Sequence, residues 1–165
     1  MKAIVCVDKN WGIGKNNDLL FNLPEDMKRF REETQNKVVI MGLNTFKSLP
    51  NGPLKNRTNI VLDPDNQYIE GVIVVPSIYK LSLVASQYDS DDLFVIGGAS
   101  IYKQLVPFCK EVLVTKVDAD GQADRFFPDL DENPRWKVVY KGEDLIAQSG
   151  LKYCFYTYSQ EDQND

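Results

Sequence analysis

Histidine is absent from the 165-residue chain. Its absence excludes Ser-His-Asp and Cys-His catalysis and every metal site that uses a histidine ligand. Acid–base chemistry in this protein must therefore use Asp, Glu, Lys, Tyr, Cys or water, and we expect no metal centre.

Cysteine is also scarce. Cys6, Cys109 and Cys154 each lie among apolar residues, and no CxxC motif occurs. Because an odd number of cysteines is a poor disulfide framework, we expect buried, reduced thiols. This pattern predicts a reducing compartment, the cytoplasm.

Long apolar runs and clusters of basic residues are missing as well. No stretch approaches the roughly 18 apolar residues of a membrane span, and the apolar start Met1–Val7 is too short for a signal peptide. The chain has 19 Lys and Arg against 24 Asp and Glu, a net charge of −5. We therefore expect neither a membrane nor a nucleic acid as partner, and nothing in the sequence demands more than a monomer.

Short apolar segments alternate with helical ones along the chain. Continuously apolar runs are typical of strands buried on both faces, and they occur at Ala3–Val7, Val38–Met41, Asn59–Leu62, Val72–Val75, Leu93–Ile96 and Val112–Val117. Helices are predicted at Pro24–Thr34, Thr45–Leu49, Ile78–Tyr88 and Ser100–Val106. The alternation predicts an α/β fold with a central, mostly parallel sheet flanked by helices.

The C-terminal third follows a different pattern. Trp136–Tyr140 and Leu151–Tyr158 alternate apolar and polar residues, which predicts an antiparallel C-terminal hairpin. We expect residues 1–159 to form one domain and residues 160–165 to be a polar, acidic tail that frays from Ser159 onward.

One long loop precedes the first helix. Asp8–Leu23 contains Gly12, Gly14 and the polar run Lys15–Asp18. Long irregular loops in compact domains are often functional, so this segment is interpreted as a lid rather than as a simple surface connection.

Asp26 is the first candidate for chemistry. Leu23, Met27, Phe30 and Thr34 share one face of the predicted helix, and Asp26 lies at the edge of that apolar stripe. Partial desolvation there suits a carboxyl that exchanges a proton near neutral pH. On spacing alone, an acid that favours the positive end of the helix dipole is the better explanation.

Two strand-to-helix junctions contain glycine. Val95–Tyr102 includes Gly97 and Gly98, and Val39–Thr45 includes Gly42. Free N–H groups at such junctions can bind phosphate. Two of them suggest a ligand with more than one phosphate or an extended dinucleotide, although two ordinary turns are an equal alternative. Arg57, at the entrance of a predicted strand, could clamp a carboxylate or be a solvated surface charge.

Taken in order, these segments resemble dihydrofolate reductase along essentially the whole chain. The matching segments are Trp11–Gly14, Leu23–Met27, Val39–Gly42, Leu54–Arg57, Asn59–Leu62, Val95–Gly98, Ile101–Tyr102 and Phe127–Pro128. The resemblance implies transfer of a hydride from a reduced nicotinamide cofactor to dihydrofolate, giving tetrahydrofolate. It therefore implies two small-molecule partners, dihydrofolate and the nicotinamide dinucleotide.

The resemblance also implies roles for individual residues. Asp26 is the expected acid, Thr115 is its hydroxyl partner, and Arg57 is the clamp on the glutamate α-carboxylate. The expected substrate contacts are Ile4, Val5, Leu19, Asp26, Met27, Phe30, Leu49, Leu54, Arg57, Ile96, Tyr102 and Thr115. The expected cofactor contacts are Cys6, Ile13, Gly14, Asn17, Leu19, Gly42, Leu43, Asn44, Thr45, Ser48, Leu62, Asp63, Ile96, Gly97, Gly98, Ala99, Ser100, Ile101 and Tyr102.

Two regions depart from the family pattern. Leu20 and Phe21 stand where the family usually has Pro-Trp, and Phe21 lacks an indole N–H. Around the expected 2′-phosphate of the cofactor, the usual basic or hydroxyl groups are replaced by Leu43, Asn44, Asp63, Pro64 and Ser100. A carboxylate there repels phosphate, so a weakened preference for NADPH, with NADH as an alternative cofactor, is our hypothesis; Lys47 and Lys80 are the other cations within possible reach.

Two alternatives stay open at this point. A reductase of a related pterin or pyrimidine would share the fold, although Arg57 with Asp26 and Thr115 favours folate. A nucleotide-binding regulatory module would keep the glycine junctions but would give Asp26 no task.

Overall fold

The computed structural model describes residues 1–161 of the chain. Within them, the helices are α1 (Pro24–Thr34), α2 (Leu43–Ser48), α3 (Ile78–Ala85) and α4 (Ala99–Leu105), with short 3₁₀ turns at Ser90–Asp92, Val106–Phe108 and Leu130–Glu132. The strands are β1 (Lys2–Val7), β2 (Gly12–Lys15), β3 (Asp18–Leu19), β4 (Val38–Gly42), β5 (Thr58–Leu62), β6 (Ile73–Val75), β7 (Leu93–Gly97), β8 (Glu111–Val117), β9 (Arg125–Phe126), β10 (Trp136–Lys141), β11 (Leu145–Ile146) and β12 (Lys152–Gln160).

The main sheet has the order β10-β12-β8-β1-β7-β4-β5-β6, and β11 also pairs with β12. Strands from β8 to β6 in that order are parallel, whereas β12 runs antiparallel to both β8 and β10. The prediction of a mostly parallel sheet with an antiparallel C-terminal hairpin is thereby confirmed.

The central strands are buried because helices cover both of their faces. Ala3, Val39, Val95 and Val114 have no exposed surface. Continuously apolar sequence was the signal for this arrangement, since a strand covered on both sides has no polar face to show. Of the helices in the described residues, none has the length and hydropathy that crossing a membrane requires.

The segment Asp8–Leu23 is more ordered than an irregular loop. Its strands β2 and β3 form a hairpin that pairs with β9 as a separate three-stranded sheet. Asn16 and Asn17 connect the two strands with φ values of 52° and 64°, as a two-residue type I′ turn requires. The expectation of irregular structure was therefore wrong, and the Asn-Asn pair was the signal for the turn.

Helix ends differ from the sequence predictions by a few residues. α2 begins at Leu43 instead of Thr45, and α3 ends at Ala85 instead of Tyr88. Pro107 lies in the first turn of the 3₁₀ segment that follows α4, because proline fits a helical start and lacks only an N–H that is free there.

The last strand extends beyond its predicted end. β12 continues through Ser159 and Gln160, which pair with Lys137 and Trp136. The expectation that Ser159 and Gln160 belong to a frayed tail was therefore wrong. The rest of that tail, from residue 162, lies outside the described residues.

Candidate active site

Asp26 lies in the first turn of α1, facing the sheet. Pro24 starts the helix, and the Asp26 N–H donates to the Leu23 carbonyl at 3.1 Å. Across from the helix, Thr115 on β8 is 1% exposed, and its hydroxyl donates to Asp26 Oδ1 at 2.6 Å. The structure thus brings together the acid and the hydroxyl that the family resemblance paired.

The environment of Asp26 disfavours its charged form. Burial raises the pKa of the Asp26 carboxyl above its ordinary value, while the Thr115 hydroxyl and the Arg29 charge oppose that effect. A carboxyl with a raised pKa retains a proton closer to neutral pH than a solvated one does. Burial also raises the pKa of the neighbouring Cys6 thiol, so that this thiol stays neutral beside the acid.

A small cavity opens in front of Asp26. We call it the acid pocket; its volume is about 40 Å³, and its walls are Cys6, Ile13, Leu19, Leu20, Phe21, Leu23, Asp26 and Met27. Leu19, Leu20 and Phe21 line this pocket from the segment that precedes α1.

Apolar side chains continue from the acid pocket along the sheet. Phe30 and Ile96 pack with Ile4, whereas Leu49 and Leu54 pack with Met41 and other side chains of β4 and β5. Met27 is 41% exposed, so part of this wall is open to solvent. An extended apolar ligand would fit along it.

Arg57 closes the far end of this wall. Its Nε donates to Thr34 Oγ1 at 3.2 Å and its Nη1 to the Lys55 carbonyl at 2.9 Å. Its Nη2 is buried and has no hydrogen-bond partner among residues 1–161. A guanidinium fixed on two sides with a free donor suits a carboxylate ligand.

Asn59 holds the loop that carries Arg57. It is 3% exposed, accepts from the Leu54 N–H at 3.0 Å, and donates to the carbonyls of Leu54 and Arg57. The sequence analysis missed this role, although a polar side chain inside an apolar strand was a usable signal.

The glycine junctions lie side by side at the carboxyl ends of parallel strands. Met41 on β4 pairs with Gly97 on β7, and the Gly97–Gly98 peptide bond is cis. A Cβ on Gly98 would lie 3.3 Å from Thr45 Oγ1. Ligands of open α/β sheets bind at this edge. The structure therefore brings the two glycine junctions predicted from the sequence next to each other.

Tyr102 on α4 contacts β1 and β7 at the same edge of the sheet. Its hydroxyl donates to the Ile4 carbonyl at 2.8 Å, and its ring would lie 3.1 Å from a Cβ on Gly97, whose φ is +121°. Glycine is therefore required at position 97. The Ile4 carbonyl keeps a second lone pair for a ligand.

Several expected cofactor contacts are engaged within the protein. Ser48 donates to the Thr45 carbonyl at 2.6 Å, Ser100 accepts from Gln104 at 3.1 Å, and Leu62 packs against the main core. Gly14 and Asn17 lie in the lid hairpin, away from the junctions in sequence but on the segment that borders the acid pocket.

The Asp63 carboxylate is oriented differently from the sequence prediction. The residue is 1% exposed, and its carboxylate accepts from the N–H groups of Asp65 at 3.0 Å and Gln67 at 3.1 Å. The expectation that this carboxylate faces and repels a cofactor phosphate is therefore wrong. An Asp followed by Pro64 and Asn66 closes its own turn.

Arg29, Tyr153 and Phe155 surround the acid and were not singled out from the sequence. Arg29 is three residues after Asp26 on the same helix, a spacing that places both on one side. Its guanidinium carbon lies 4.4 Å from the centre of the Phe155 ring, and Phe155 packs against Tyr153 with ring centres 5.5 Å apart.

Comparison with known proteins identifies the family that this chain resembles. A family model described as dihydrofolate reductase matches residues 1–160. The chain is 39% identical to dihydrofolate reductase of Bacillus subtilis (82% of this chain, 79% of the relative) and 36% identical to that of Buchnera aphidicola from Acyrthosiphon pisum (86% of each).

A solved structure agrees with these relatives. Dihydrofolate reductase from Enterococcus faecalis, complexed with NADP(H) and RAB-propyl, superposes with a TM-score of 0.86 at 32% identity, over 98% of this chain and 96% of that one. Since the family model covers the sheet, the acid on α1 and both glycine junctions, this chain belongs to the dihydrofolate reductase family.

Proposed function

We propose that this protein is an NADPH-dependent dihydrofolate reductase, with Asp26 as its acid. The observation that carries the proposal is a buried carboxyl hydrogen-bonded to Thr115 at one end of an apolar wall that ends at Arg57. Reduction of the C=N bond of dihydrofolate consumes one hydride and one proton, so the site must supply both.

The glycine junctions fit a nicotinamide dinucleotide. Gly42, Gly97 and Gly98 present backbone where a side chain would meet Ile101, Tyr102 or Thr45 within 3.0–3.3 Å, and no side chain caps the first turn of α2 or α4 in the described structure. When bound, the reduced cofactor supplies the hydride. The chain's own residues hold it at this edge of the sheet.

The acid pocket fits the pterin end of the substrate. Thr115 occupies Asp26 Oδ1, which leaves Oδ2 to face a ligand. Because burial favours the protonated carboxyl, Asp26 can hold a proton at Oδ2 and favour its delivery toward the ring nitrogen. Leu20 and Phe21 line this pocket, and their apolar side chains favour a site with little water during that transfer.

The rest of the wall fits the tail of the substrate. Phe30, Leu49 and Leu54 offer apolar surface for an aromatic ring. The Nη2 of Arg57, which has no partner in the described chain, fits the carboxylate at the far end, because a hydrogen bond between a guanidinium and a carboxylate is charge-assisted.

The test follows oxidation of NADPH, and separately of NADH, by absorbance with dihydrofolate at neutral pH. We expect Asp26→Asn to lower kcat by about 10²- to 10⁴-fold, the usual contribution of a general acid. Glu32→Gln, which changes an exposed carboxylate on the same helix, is the matched control and should keep wild-type activity. Absence of turnover with either cofactor would overturn the proposal and favour a related pterin reductase.

The ratio of the two specificity constants tests the cofactor hypothesis. With Asp63 turned into its own loop, only the uncharged Leu43, Asn44 and Ser100 remain to weaken binding of a 2′-phosphate. We therefore expect NADPH to be used better than NADH, by a smaller factor than a basic site would give.

We also propose one domain, residues 1–160, that acts as a monomer in the cytoplasm. The main apolar cluster includes Ala3 near the start and Tyr158 near the end of the described chain, which supports a single unit. The three cysteines are free thiols, with Cys109 fully buried, and reduced thiols persist in a reducing compartment.

A further inference from the structure

Arg29 is held in a fixed position beside the acid rather than extending into solvent. Its Nη1 donates to the Val114 carbonyl and to Thr115 Oγ1, both at 3.4 Å. Its guanidinium also lies over the Phe155 ring at 4.4 Å, a stacking that suits arginine in particular. Two strands, β8 and β12, thus fix one cation of α1.

The hydrogen bonds of Thr115 have a defined direction. A threonine hydroxyl has one proton to donate and two lone pairs, and a guanidinium can only donate. Thr115 therefore accepts from Arg29 and gives its single proton to Asp26 Oδ1, at 2.6 Å. A proton directed at Oδ1 stabilises the carboxylate more than the neutral acid.

Titratable groups from several elements surround Asp26. Cys6 on β1, Tyr102 on α4 and Tyr153 on β12 face it, and burial raises the pKa of each, which keeps them neutral near neutral pH. Within residues 1–161, Arg29 is the cation whose charge lowers the pKa of Asp26, against the larger effect of burial.

Other groups act on Arg29 itself. Burial lowers the pKa of Arg29, whereas the charges of Glu33, Asp26 and Tyr140 raise it. An arginine stays protonated in proteins at any working pH. Arg29 therefore acts on Asp26 as a constant positive charge.

We propose that Arg29 is a positioning residue for the reduction: by donating to Thr115 and placing its charge beside Asp26, it sets the pH range in which Asp26 supports turnover. The inference rests on the proposed function in one respect, that Asp26 carries the proton of the reaction. Without the cation, Asp26 holds its proton more tightly, so turnover persists to higher pH.

The experiment compares two neutral variants, Arg29→Met and Arg29→Gln, with Arg29→Lys and with the control Lys28→Met. Lys28 lies next to Arg29 on the exposed side of α1, so Lys28→Met makes the same change in net charge away from the acid. Two readouts are measured from acid to alkaline pH: kcat, and the ¹³C shift of the Asp26 carboxyl in protein labelled at Asp, assigned by its loss in Asp26→Asn.

We expect both midpoints to move up by about one pH unit in the neutral variants, which is the lower end of the effect of an adjacent arginine on a carboxyl. Arg29→Lys should stay near the wild-type midpoint because it keeps the charge, and Lys28→Met should leave both midpoints unchanged. If only one neutral variant folds, it suffices for the comparison.

Three results would overturn the inference. One is a neutral variant in which kcat falls by the same factor at every pH while both midpoints stay in place, since that is a structural effect. Another is a shift with Lys28→Met as large as that with Arg29→Met, and the third is a shift with Arg29→Lys as large as that of the neutral variants. If wild-type protein does not turn over but the carboxyl midpoint still moves as expected, the proposed function fails while the effect of Arg29 on Asp26 stands.

Discussion

At the scale of single residues, Asp26 is placed where its charge costs free energy of folding. Burial raises its pKa in the folded protein, and one hydrogen bond and one nearby cation offset that only in part. In the unfolded chain, the same carboxyl returns to its ordinary pKa. The folded state therefore binds the Asp26 proton more tightly than the unfolded state does.

This difference gives a prediction with a definite sign. Between the ordinary pKa of Asp and the raised pKa of Asp26, the folded state holds more protons, so the free energy of unfolding falls as pH rises. At neutral pH, Asp26→Asn removes the buried charge and should stabilise the protein by about 0.5–2 kcal/mol, a common gain at functional sites. Thermal unfolding at several pH values measures it.

The control for that prediction is the acid end of the same series. Below the ordinary pKa of Asp, the Asp26 carboxyl is protonated in both the folded and the unfolded wild-type protein. The gain in stability from Asp26→Asn should therefore disappear there. An equal gain at every pH would show that packing, and not charge, separates the two proteins. Glu32→Gln, at an exposed position on the same helix, should keep a free energy of unfolding within about 0.5 kcal/mol of wild type at neutral pH.

Sequence spacing predicted part of this site. The helical stripe from Leu23 to Thr34 placed Asp26 at its edge, and the structure confirms that helix at Pro24–Thr34. The partner Thr115 lies 89 residues away and could be named only from the family resemblance. The error at Asp63 has a local cause, because a carboxylate that closes its own turn looks like an exposed one in sequence.

At the scale of elements, Asp8 ties the lid hairpin to the loop before β9. It is 2% exposed, and its carboxylate accepts from the N–H groups of Asn10 at 2.8 Å, Gly12 at 2.7 Å and Gly121 at 3.0 Å. The Gly121 position also borders Leu20, since a Cβ there would lie 2.9 Å from the leucine. The lid is thus anchored where it borders the acid pocket.

Removal of that anchor should loosen the lid. Asp8→Ala leaves three backbone donors without this acceptor, and a loss of about 1–3 kcal/mol is expected for buried donors left unsatisfied. Asp8→Asn retains one acceptor oxygen and should lie between Ala and wild type. Urea unfolding measures the stability, and amide hydrogen exchange at Gly12 and Gly121 should quicken.

The matched control for the lid is Asp120→Ala. Asp120 also accepts from a backbone N–H, that of Gln122 at 2.9 Å, but at an exposed position. Water replaces an exposed acceptor, so this variant should unfold within about 0.5 kcal/mol of wild type. Equal losses in the Asp8 and Asp120 variants would contradict the anchoring role.

Strands and helices were predictable from the sequence where burial leaves a regular pattern of apolar residues. The central strands follow from continuously apolar runs, because neighbouring elements cover both of their faces. α1 follows from its helical apolar stripe, although Thr34 is its one buried residue. The lid hairpin and β9 did not follow, since β2 and β3 have only four and two residues. Their pairing also depends on a turn at Asn16–Asn17 and on a partner far along the chain.

At the scale of the whole molecule, the chain closes by inserting its last strand beside β8. β12 lies between β8 and β10, and its final residue reaches the segment before β8. The Gln160 side chain donates to the carbonyls of Pro107 at 2.9 Å and Cys109 at 2.6 Å. The backbone N–H of Gln160 donates to the Lys110 carbonyl at 3.2 Å. The C-terminal strand is therefore held at both its edges and its end.

Gln160→Ala tests how much this closure contributes to the fold. The change removes two side-chain hydrogen bonds that link segments 51 and 53 residues apart, and a loss of about 1–2 kcal/mol is expected from the usual net value of such bonds. Gln104→Ala is the matched control: it also removes two side-chain hydrogen bonds, both to Ser100 one turn earlier on α4, where alanine favours the helix.

The measurement is urea unfolding followed by tryptophan fluorescence and by circular dichroism. Trp136 pairs with Gln160 across β10 and β12, and Trp11 lies in the same apolar cluster as Trp136. In a single cooperative domain the two signals coincide, and the Gln160 variant should shift both midpoints together. A shift in fluorescence alone would mean that the end of β12 opens independently of the sheet, and equal losses in both glutamine variants would show that the long-range contacts add nothing beyond a local bond.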